Sequence, residues 1–266
     1  MISDAYIDAV YTRRPLPGDI IDAHAHLGPD ACIPNVTHDL DRIVEGMDRL
    51  GARCMCVSAI PALYGDAGRG NRLVETAFRK YPRRFFGYMC ADIGYPERIL
   101  RELERCLAAG FRGVKVWSGG ARPGLPYDHA NYREVFAFAA GHRLPVLAHT
   151  WGGELEQLEP FVKQYPQVNW LLAHTASNLK ADYIRLGQQY PNVYLELCFS
   201  PCPRGLVEEL VAAGLEDKLL WGSDAIFMDG AQQIGRVVFA QIAAAQKAKI
   251  LGQNAARVLG LNREKE

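Results

Sequence analysis

The sequence predicts a (β/α)8 TIM barrel, a single α/β domain with an extra C-terminal helix. Three observations predict it. Short apolar runs alternate with longer amphipathic stretches eight times along the chain. The runs are apolar on both faces, as parallel strands buried under a helical layer should be. The chain has 266 residues, a length that suits one barrel of this kind. A doubly wound sheet is the rival arrangement, but the first strand lacks a GxGxxG turn. Residues 1–18 read as an N-terminal extension and 19–266 as the barrel domain, with no linker, repeat or low-complexity tract inside it.

The elements follow in order. Ile20 to His24 is the first strand. Thr37 is placed as the N-cap of a helix through Leu50, with Leu40, Ile43, Val44, Met47 and Leu50 on one face and Gly51 as its stop. Cys54 to Ile60 is the second strand, and Asn71 to Tyr81 a helix stopped by Pro82. Phe85 to Cys90 is the third strand. Pro96 suits the first turn of a helix ending at Gly110. Gly113 to Trp117 is the fourth strand, followed by a helix over Asn131 to Ala140. Pro145 to His149 is the fifth, followed by a helix over Glu154 to Tyr165 that Pro160 is expected to break. Asn169 to His174 and Val193 to Cys198 are the sixth and seventh strands, each leading into a helix, Ala181 to Tyr190 and Gly205 to Ala213. Leu219 to Ser223 is the eighth strand, followed by a helix over Ala231 to Ala245. Gln253 to Leu259 is the extra helix.

Composition narrows the function classes. The formal net charge is zero, and no basic block appears, so the sequence points to a small-molecule substrate rather than nucleic acid. No apolar run is long enough for a signal peptide or a membrane span, so a cytoplasmic protein without membrane attachment is expected. The cysteines are Cys32, Cys54, Cys56, Cys90, Cys106, Cys198 and Cys202, an odd set without a CxxC pair, which reads as reduced thiols. Cys198 and Cys202 have no base placed for them by the sequence and are not expected to be nucleophiles. A homodimer, the commonest soluble oligomer, is compatible with the chain.

Chemistry concentrates at the ends of the strands. Strand one ends in His24-Ala25-His26, and residues two apart on a strand point the same way. Strand four contains Lys115, strand five ends with His149, strand six with His174, and strand eight with Asp224. In a barrel these C-terminal ends converge on one face, where barrel active sites lie. Four histidines and an aspartate suit a divalent metal of the zinc type. His24, His26 and His149 can bind it as neutral imidazoles. Asp224 can complete the shell or take a proton, though an aspartate there also suits a helix N-cap. His174 can be a ligand, polarise a substrate or move a proton. Lys115 reads either as an active-site lysine or as half of an ion pair at the barrel mouth.

Other residues are weaker candidates. His38, His129 and His142 fall at helix starts or in loops and read as solvated or capping residues. Trp117, Trp151 and Trp221 can line a pocket or pack; Trp151, two residues after His149, is the best pocket candidate. Arg204 can hold a substrate carboxylate with its planar fork or lie solvated in its loop. Asp30 and Tyr64 are further guesses at the pocket, and Glu196 can point into the barrel or serve a structural network.

These residues resemble the amidohydrolase superfamily, in its amidohydrolase-related (type 2) branch, which also contains aminocarboxymuconate-semialdehyde decarboxylase-like enzymes. The resemblance spans Ile20 to Leu261. It runs through His24-Ala25-His26, Tyr81-Pro82-Arg83-Arg84-Phe85-Phe86-Gly87, Gly110-Phe111-Arg112-Gly113-Val114-Lys115, His149, His174, Trp221-Gly222-Ser223-Asp224, and the closing segment Ile250 to Leu259. It implies one metal, usually zinc, on His24, His26, His149 and Asp224, with His174 beside it as a catalytic residue. Mn2+ and Fe2+ are compatible with the same donors. Lys115 leaves a second metal open, because in binuclear relatives a lysine at this place is carboxylated and bridges two ions.

The expected activity is that of a metal-dependent hydrolase, in which metal-activated water attacks an ester, lactone or amide carbonyl while Asp224 and His174 move protons. The alternative is a non-oxidative decarboxylase of a small carboxylic acid on the same donor set. A non-catalytic binding barrel is the third reading, and it leaves the polar cluster at one mouth without a purpose.

Overall fold

The structure is a computed structural model and describes residues 4–30, 38–119, 124–198 and 203–261. Its strands are β1 (Ile20–Leu27), β2 (Ala52–Ala59), β3 (Phe85–Met89), β4 (Gly113–Val116), β5 (Val146–His149), β6 (Trp170–Ala173), β7 (Val193–Glu196) and β8 (Leu219–Leu220). They pair in sequence order, and every pair is parallel. The segment after β8 comes back to β1: Ala23 N–H donates to the Trp221 carbonyl at 3.0 Å and Asp224 N–H to the His24 carbonyl at 2.8 Å. This is the single (β/α)8 barrel the sequence predicts.

The helices are α1 (Ala5–Tyr11), α2 (Leu40–Leu50), α3 (Ile60–Leu63), α4 (Ala67–Lys80), α5 (Pro96–Ala109), α6 (Ala130–Gly141), α7 (Leu155–Gln164), α8 (Lys180–Gln189), α9 (Leu206–Ala212), α10 (Gly230–Val238), α11 (Ala244–Ala248) and α12 (Asn254–Val258). Sequence reasoning missed α1, whose first N–H groups are capped by Asp4, and the four-residue α3. The Thr37 cap lies outside the described residues; Asp39 accepts from Asp41 N–H at the start of α2, and Gly51 ends it at φ 81°.

Two expectations on helix continuity need correcting. Pro160 sits inside α7 without breaking it. Pro160 and Glu156 both face solvent, where water can satisfy the carbonyl whose partner the proline removes. The stretch expected as one helix from Ala231 to Ala245 is α10 and the separate α11. The buried Lys247 ammonium donates to the Val238 carbonyl at the end of α10 and pairs with Asp4 of the N-terminal segment. A π-helical turn, Lys249–Gln253, then leads into α12.

Alternation along the strands sorts side chains into two layers. Val114, Val146, Ala148, Trp170 and Leu172 pack outward against the helices, in the larger core. Ile21, Ala23, Cys54, Cys56, Phe86, Tyr88, Leu147, Leu171 and Tyr194 fill the interior, with Ala255, Ala256, Val258 and Leu259 of the α12 segment packed against them. Continuing the same parity upward places Ser58, Lys115, His149 and Glu196 on the inward face, above that apolar floor. A register irregularity between Asp22 and Ala25 shifts β1 by one, so His24 and His26 follow Ile21 and Ala23 onto the inner side.

Candidate active site

His24, His26, Lys115, His174, Glu196 and Asp224 are all buried at one mouth of the barrel, with His149 partly buried beside them. The rings of His24 and His26 lie 5.0 Å apart, those of His24 and His174 5.2 Å, and those of His149 and His174 4.4 Å. Two of these residues hold left-handed backbone conformations, His174 at φ 59° and Asp224 at φ 55°. Such conformations cost energy in non-glycine residues and persist where surrounding contacts fix them.

The hydrogen bonds assign the imidazole tautomers. His174 Nδ1 lies 3.1 Å from the Cys198 carbonyl and must donate to it. Its Nε2 therefore accepts, and His149 Nδ1, 3.1 Å away, donates. That leaves His149 Nε2 with a lone pair, and this buried atom has no hydrogen-bond partner. His24 Nδ1 donates to Glu196 Oε2 at 2.9 Å, so its Nε2 carries the lone pair and accepts from Lys115 Nζ at 2.8 Å. His26 Nε2 stands 3.1 Å from Asp224 Oδ1, and its Nδ1 stands 3.0 Å from Ser58 Oγ.

Burial sets the charge states. It holds His24 and His149 well below the ordinary histidine range, reinforced by Lys115 and His174 respectively, and lowers His26 and His174 as well. The imidazoles are thus neutral. Asp224 goes the other way: burial opposes ionisation, but the hydrogen bond from His26 and the neighbouring histidines outweigh it and hold the carboxyl well below its usual range. Burial lowers the Lys115 amine and raises Glu196. Burial and Glu196 also push the Cys198 thiol well up.

Neutral imidazoles with lone pairs beside an ionised carboxylate are the donor set of a divalent cation. The bare Nε2 of His149 is the clearest mark of fit, because a buried ring nitrogen without a partner is costly. His24 Nε2 joins the set once the ion takes the place of Lys115, and His26 Nε2 joins once its proton, now directed at Asp224, is carried instead on Nδ1, where Ser58 Oγ can accept it. Ligand atoms of His24, His174, Cys198 and Asp224 also lie within 4.8 Å of one another. Cys198 Sγ, however, sits 3.0 Å from the Nδ1 side of His24 and is held as a thiol, which makes it a poor ligand.

Further residues hold this set in place. Asp22 accepts from Ser223 N–H at 2.9 Å, from Ser223 Oγ at 2.5 Å and from His24 N–H at 3.2 Å, latching β1 to the loop that carries Asp224. Burial pushes the Asp22 carboxyl up to about 7. Gly222 leaves room for the pair of His24 and Glu196: a Cβ there would meet the Glu196 carboxylate and lie 2.8 Å from His24 Cβ. Glu196 was one of two readings from the sequence. Asp22 and Ser58 were missed, and Cys198 was read only as a thiol not expected to be a nucleophile. Inward parity on β2 could have found Ser58, while Asp22 is hidden by the register shift.

Above the cluster opens a cleft of about 680 Å³ lined by His26, Lys115, His149, His174 and Asp224 together with aromatic and aliphatic walls. Trp151 stacks on His174, with rings 5.0 Å apart and 6° from parallel. Trp117 and Trp151 flank His149, each at 5.3 Å, and Tyr64 packs edge-on to Trp117 at 5.6 Å. Phe227 lies against His26. Tyr64 and Asp30 line the cleft, as does Trp151. Arg204 is exposed and is not among the lining residues, and Trp221 is packed in the core. His38 and His142 are exposed, while His129 caps α6 through the Asn131 N–H. Cys32 and Cys202 lie outside the described residues; the five described cysteines are free and buried. Among the described residues no helix is long and apolar enough to cross a membrane.

Comparison with known proteins gives the family. The family described as amidohydrolase (Amidohydro_2) matches residues 21–261. Among solved structures, the chain is similar to a dihydroxybenzoic acid decarboxylase from Polaromonas sp. JS666 with bound manganese and the inhibitor 2-nitroresorcinol: TM-score 0.75 at 20% identity, covering 93% of this chain and 98% of that one. A 5-carboxyvanillate decarboxylase from Sphingomonas paucimobilis matches with TM-score 0.72 at 14% identity, covering 92% and 99%. A probable 2-pyrone-4,6-dicarboxylic acid hydrolase from Acinetobacter baumannii, with citric acid bound, matches with TM-score 0.73 at 16% identity, covering 91% and 99%. At these identities the likeness is one of fold.

Proposed function

The chain belongs to the amidohydrolase family, and from that premise we propose that it is a metal-dependent, non-oxidative decarboxylase of a small aromatic carboxylic acid. The observation that carries this reading is the aromatic slot over the donor cluster, with Trp117, Trp151, Tyr64 and Phe227 around His26, His149 and His174. Flat rings with a parallel-stacked Trp151–His174 pair favour a planar substrate. The two decarboxylases among the similar structures support the choice of reaction. This replaces the hydrolase expected first from the sequence.

His24, His26, His149 and Asp224 would hold one divalent ion. Three imidazoles and a carboxylate suit Zn2+, and Mn2+ is compatible. When bound, the ion supplies Lewis-acid polarisation of a substrate oxygen. The protein's own residues do the rest. The walls align the ring and exclude water. Asp224, held ionised beside His26, takes a proton from solvent at the open side of the cleft and delivers it to the ring carbon that bears the carboxylate. The bond to the carboxylate then breaks, its electrons return to the ring, and carbon dioxide leaves. His174, whose orientation is fixed by the Cys198 carbonyl, accepts from His149 Nδ1–H and so holds the His149 ring with its Nε2 lone pair free for the ion.

The test is a panel of hydroxylated benzoates, lactones and esters incubated with zinc- or manganese-loaded protein. Carbon dioxide release from the benzoates, abolished by chelation, is the expected result. Lactone or ester hydrolysis without carbon dioxide release would return the chain to the hydrolase reading.

A further inference from the structure

Lys115 is a buried lysine without an acidic partner. It is 2% exposed, and among the described residues no carboxylate lies within ion-pair distance of its Nζ. Its hydrogen-bond partner is the neutral ring nitrogen of His24, at 2.8 Å. A buried amine with one neutral partner has donor capacity left over, and such capacity is costly unless something accepts it. The lysine also stands at a junction. It lines the cleft over the donor cluster and a second cavity of about 730 Å³ beside it, and the two share Leu63, Tyr64 and Trp117 as a partition. Among the described residues, Lys115 is the one lysine or arginine lining either cavity.

The partner it does have is one it must give up. The lone pair of His24 Nε2 is the donor that His24 offers an ion, because Glu196 holds the opposite nitrogen as N–H. An ion on that atom and Lys115 cannot share the lone pair. Loading the ion therefore releases Nζ into the cleft with all its hydrogens unpaired, in whichever protonation state the amine is. The acceptor that suits it is an anionic oxygen on a ligand lying against the tryptophan walls.

We propose that Lys115 is the anchor for the substrate carboxylate, assembled only when the metal displaces it from His24. The proposal rests on the metal-binding part of the proposed function and adds that the substrate is recognised as a carboxylate by this lysine. It assigns Lys115 neither a structural ion pair nor a place as a second-metal ligand. Metal and carboxylate then favour each other's binding, because each takes up a group that the other sets free.

The experiment uses benzoate as an unreactive carboxylate, phenol as a ring without one, and zinc alone, each titrated against wild type, Lys115→Met and Lys115→Gln. Tryptophan fluorescence reports the ring ligands, and equilibrium dialysis reports zinc. In zinc-loaded protein both variants should bind benzoate about tenfold or more weakly, the loss of one charge-assisted hydrogen bond, with phenol unchanged. Without ligand they should bind one zinc per chain at least as tightly as wild type, since a competitor for His24 is gone. Benzoate binding at the wild-type level in a folded variant overturns the proposal. So does a fall from two zinc ions to one, which would make Lys115 a metal ligand. If the variants lose benzoate but no hydroxybenzoate releases carbon dioxide in wild type, the anchor stands and the decarboxylase reading falls. If wild type releases carbon dioxide but neither variant weakens benzoate binding, the decarboxylase stands and the anchor falls.

Discussion

The two ends of the barrel use polar residues in opposite ways. At the base, where the strands begin, charged groups meet one another and close their hydrogen bonds. Arg53 forks onto Asp19 at 2.5 and 3.0 Å and onto the Leu261 carbonyl at 2.8 Å, and Arg84 pairs with Asp48 at 2.6 Å while holding the Arg53 carbonyl. At the mouth the groups are more deeply buried, yet capacity is left open: a bare His149 Nε2, a lysine resting on a neutral imidazole, and two residues in left-handed backbone. Both ends are built from strand termini, so strand geometry does not explain the difference. A base that closes on itself serves stability. A mouth that leaves lone pairs inside a cleft carries that cost because a ligand completes it.

Removing the charge at the mouth should produce the largest effect. Asp224→Asn takes away the ionised carboxylate that faces His26 and keeps its shape. We expect turnover to fall by about 10³-fold or more, in the range for loss of a positioned acid–base group. The thermal unfolding midpoint should change little or rise, since a buried charge is removed. Wild-type turnover in this variant would move the proton-transfer role to His174.

Glu196→Gln sharpens the contrast one step from the ligands. Glutamine can still contact His24 Nδ1, but a neutral acceptor holds the N–H less firmly. Metal affinity should fall about 10- to 100-fold, as for other carboxylates that orient a ligating histidine. Equilibrium dialysis measures this without any assay of turnover. A variant with unchanged affinity would reduce Glu196 to a packing role.

These residues show what the sequence could carry. The eight strands were legible because each has a short apolar run with a clear stop, and the positions of His24, His149, His174 and Asp224 at strand ends followed directly. Parity then brings Lys115 and Glu196 inward with no further information. Asp22 was hidden because the shift in β1 breaks the period-two rule at the place where it mattered. Cys198 was set aside as a thiol without a base, and its part in the site is through its backbone carbonyl, which any residue type could supply. Beyond the split between α10 and α11, Lys247 meets Asp4, a contact between residues far apart in the chain and invisible to local pattern.

A smaller effect is expected at the base. Arg53→Gln removes the fork onto Asp19, a partly exposed pair, and should cost about 1 kcal/mol of stability. Metal content and turnover should stay at wild-type values. If this variant loses metal, the two ends are coupled and the division of labour fails.

The smallest effect tests the same division on the helical shell. Arg185 of α8 donates to both carboxylate oxygens of Glu159 on α7, at 2.9 and 2.8 Å, and Tyr190 adds a third bond at 2.7 Å. The hydrogen bonds from Arg185 lead in pulling the Glu159 carboxyl down to about 2 from its ordinary 4.5. Because the folded chain holds this proton less tightly than the unfolded chain, the stabilisation is complete above the ordinary value and is lost as pH falls toward 2. The groups are partly exposed, so solvent screening keeps the contribution under about 1 kcal/mol. Wild type should therefore exceed Glu159→Gln in stability by that small margin at pH 7, and the two should converge between pH 4.5 and about 2. A margin that persists at the acid end would mean that the contact acts through packing rather than charge. Metal binding at pH 7 should be identical in the two proteins, since nothing in this closed contact reaches the open groups of the mouth.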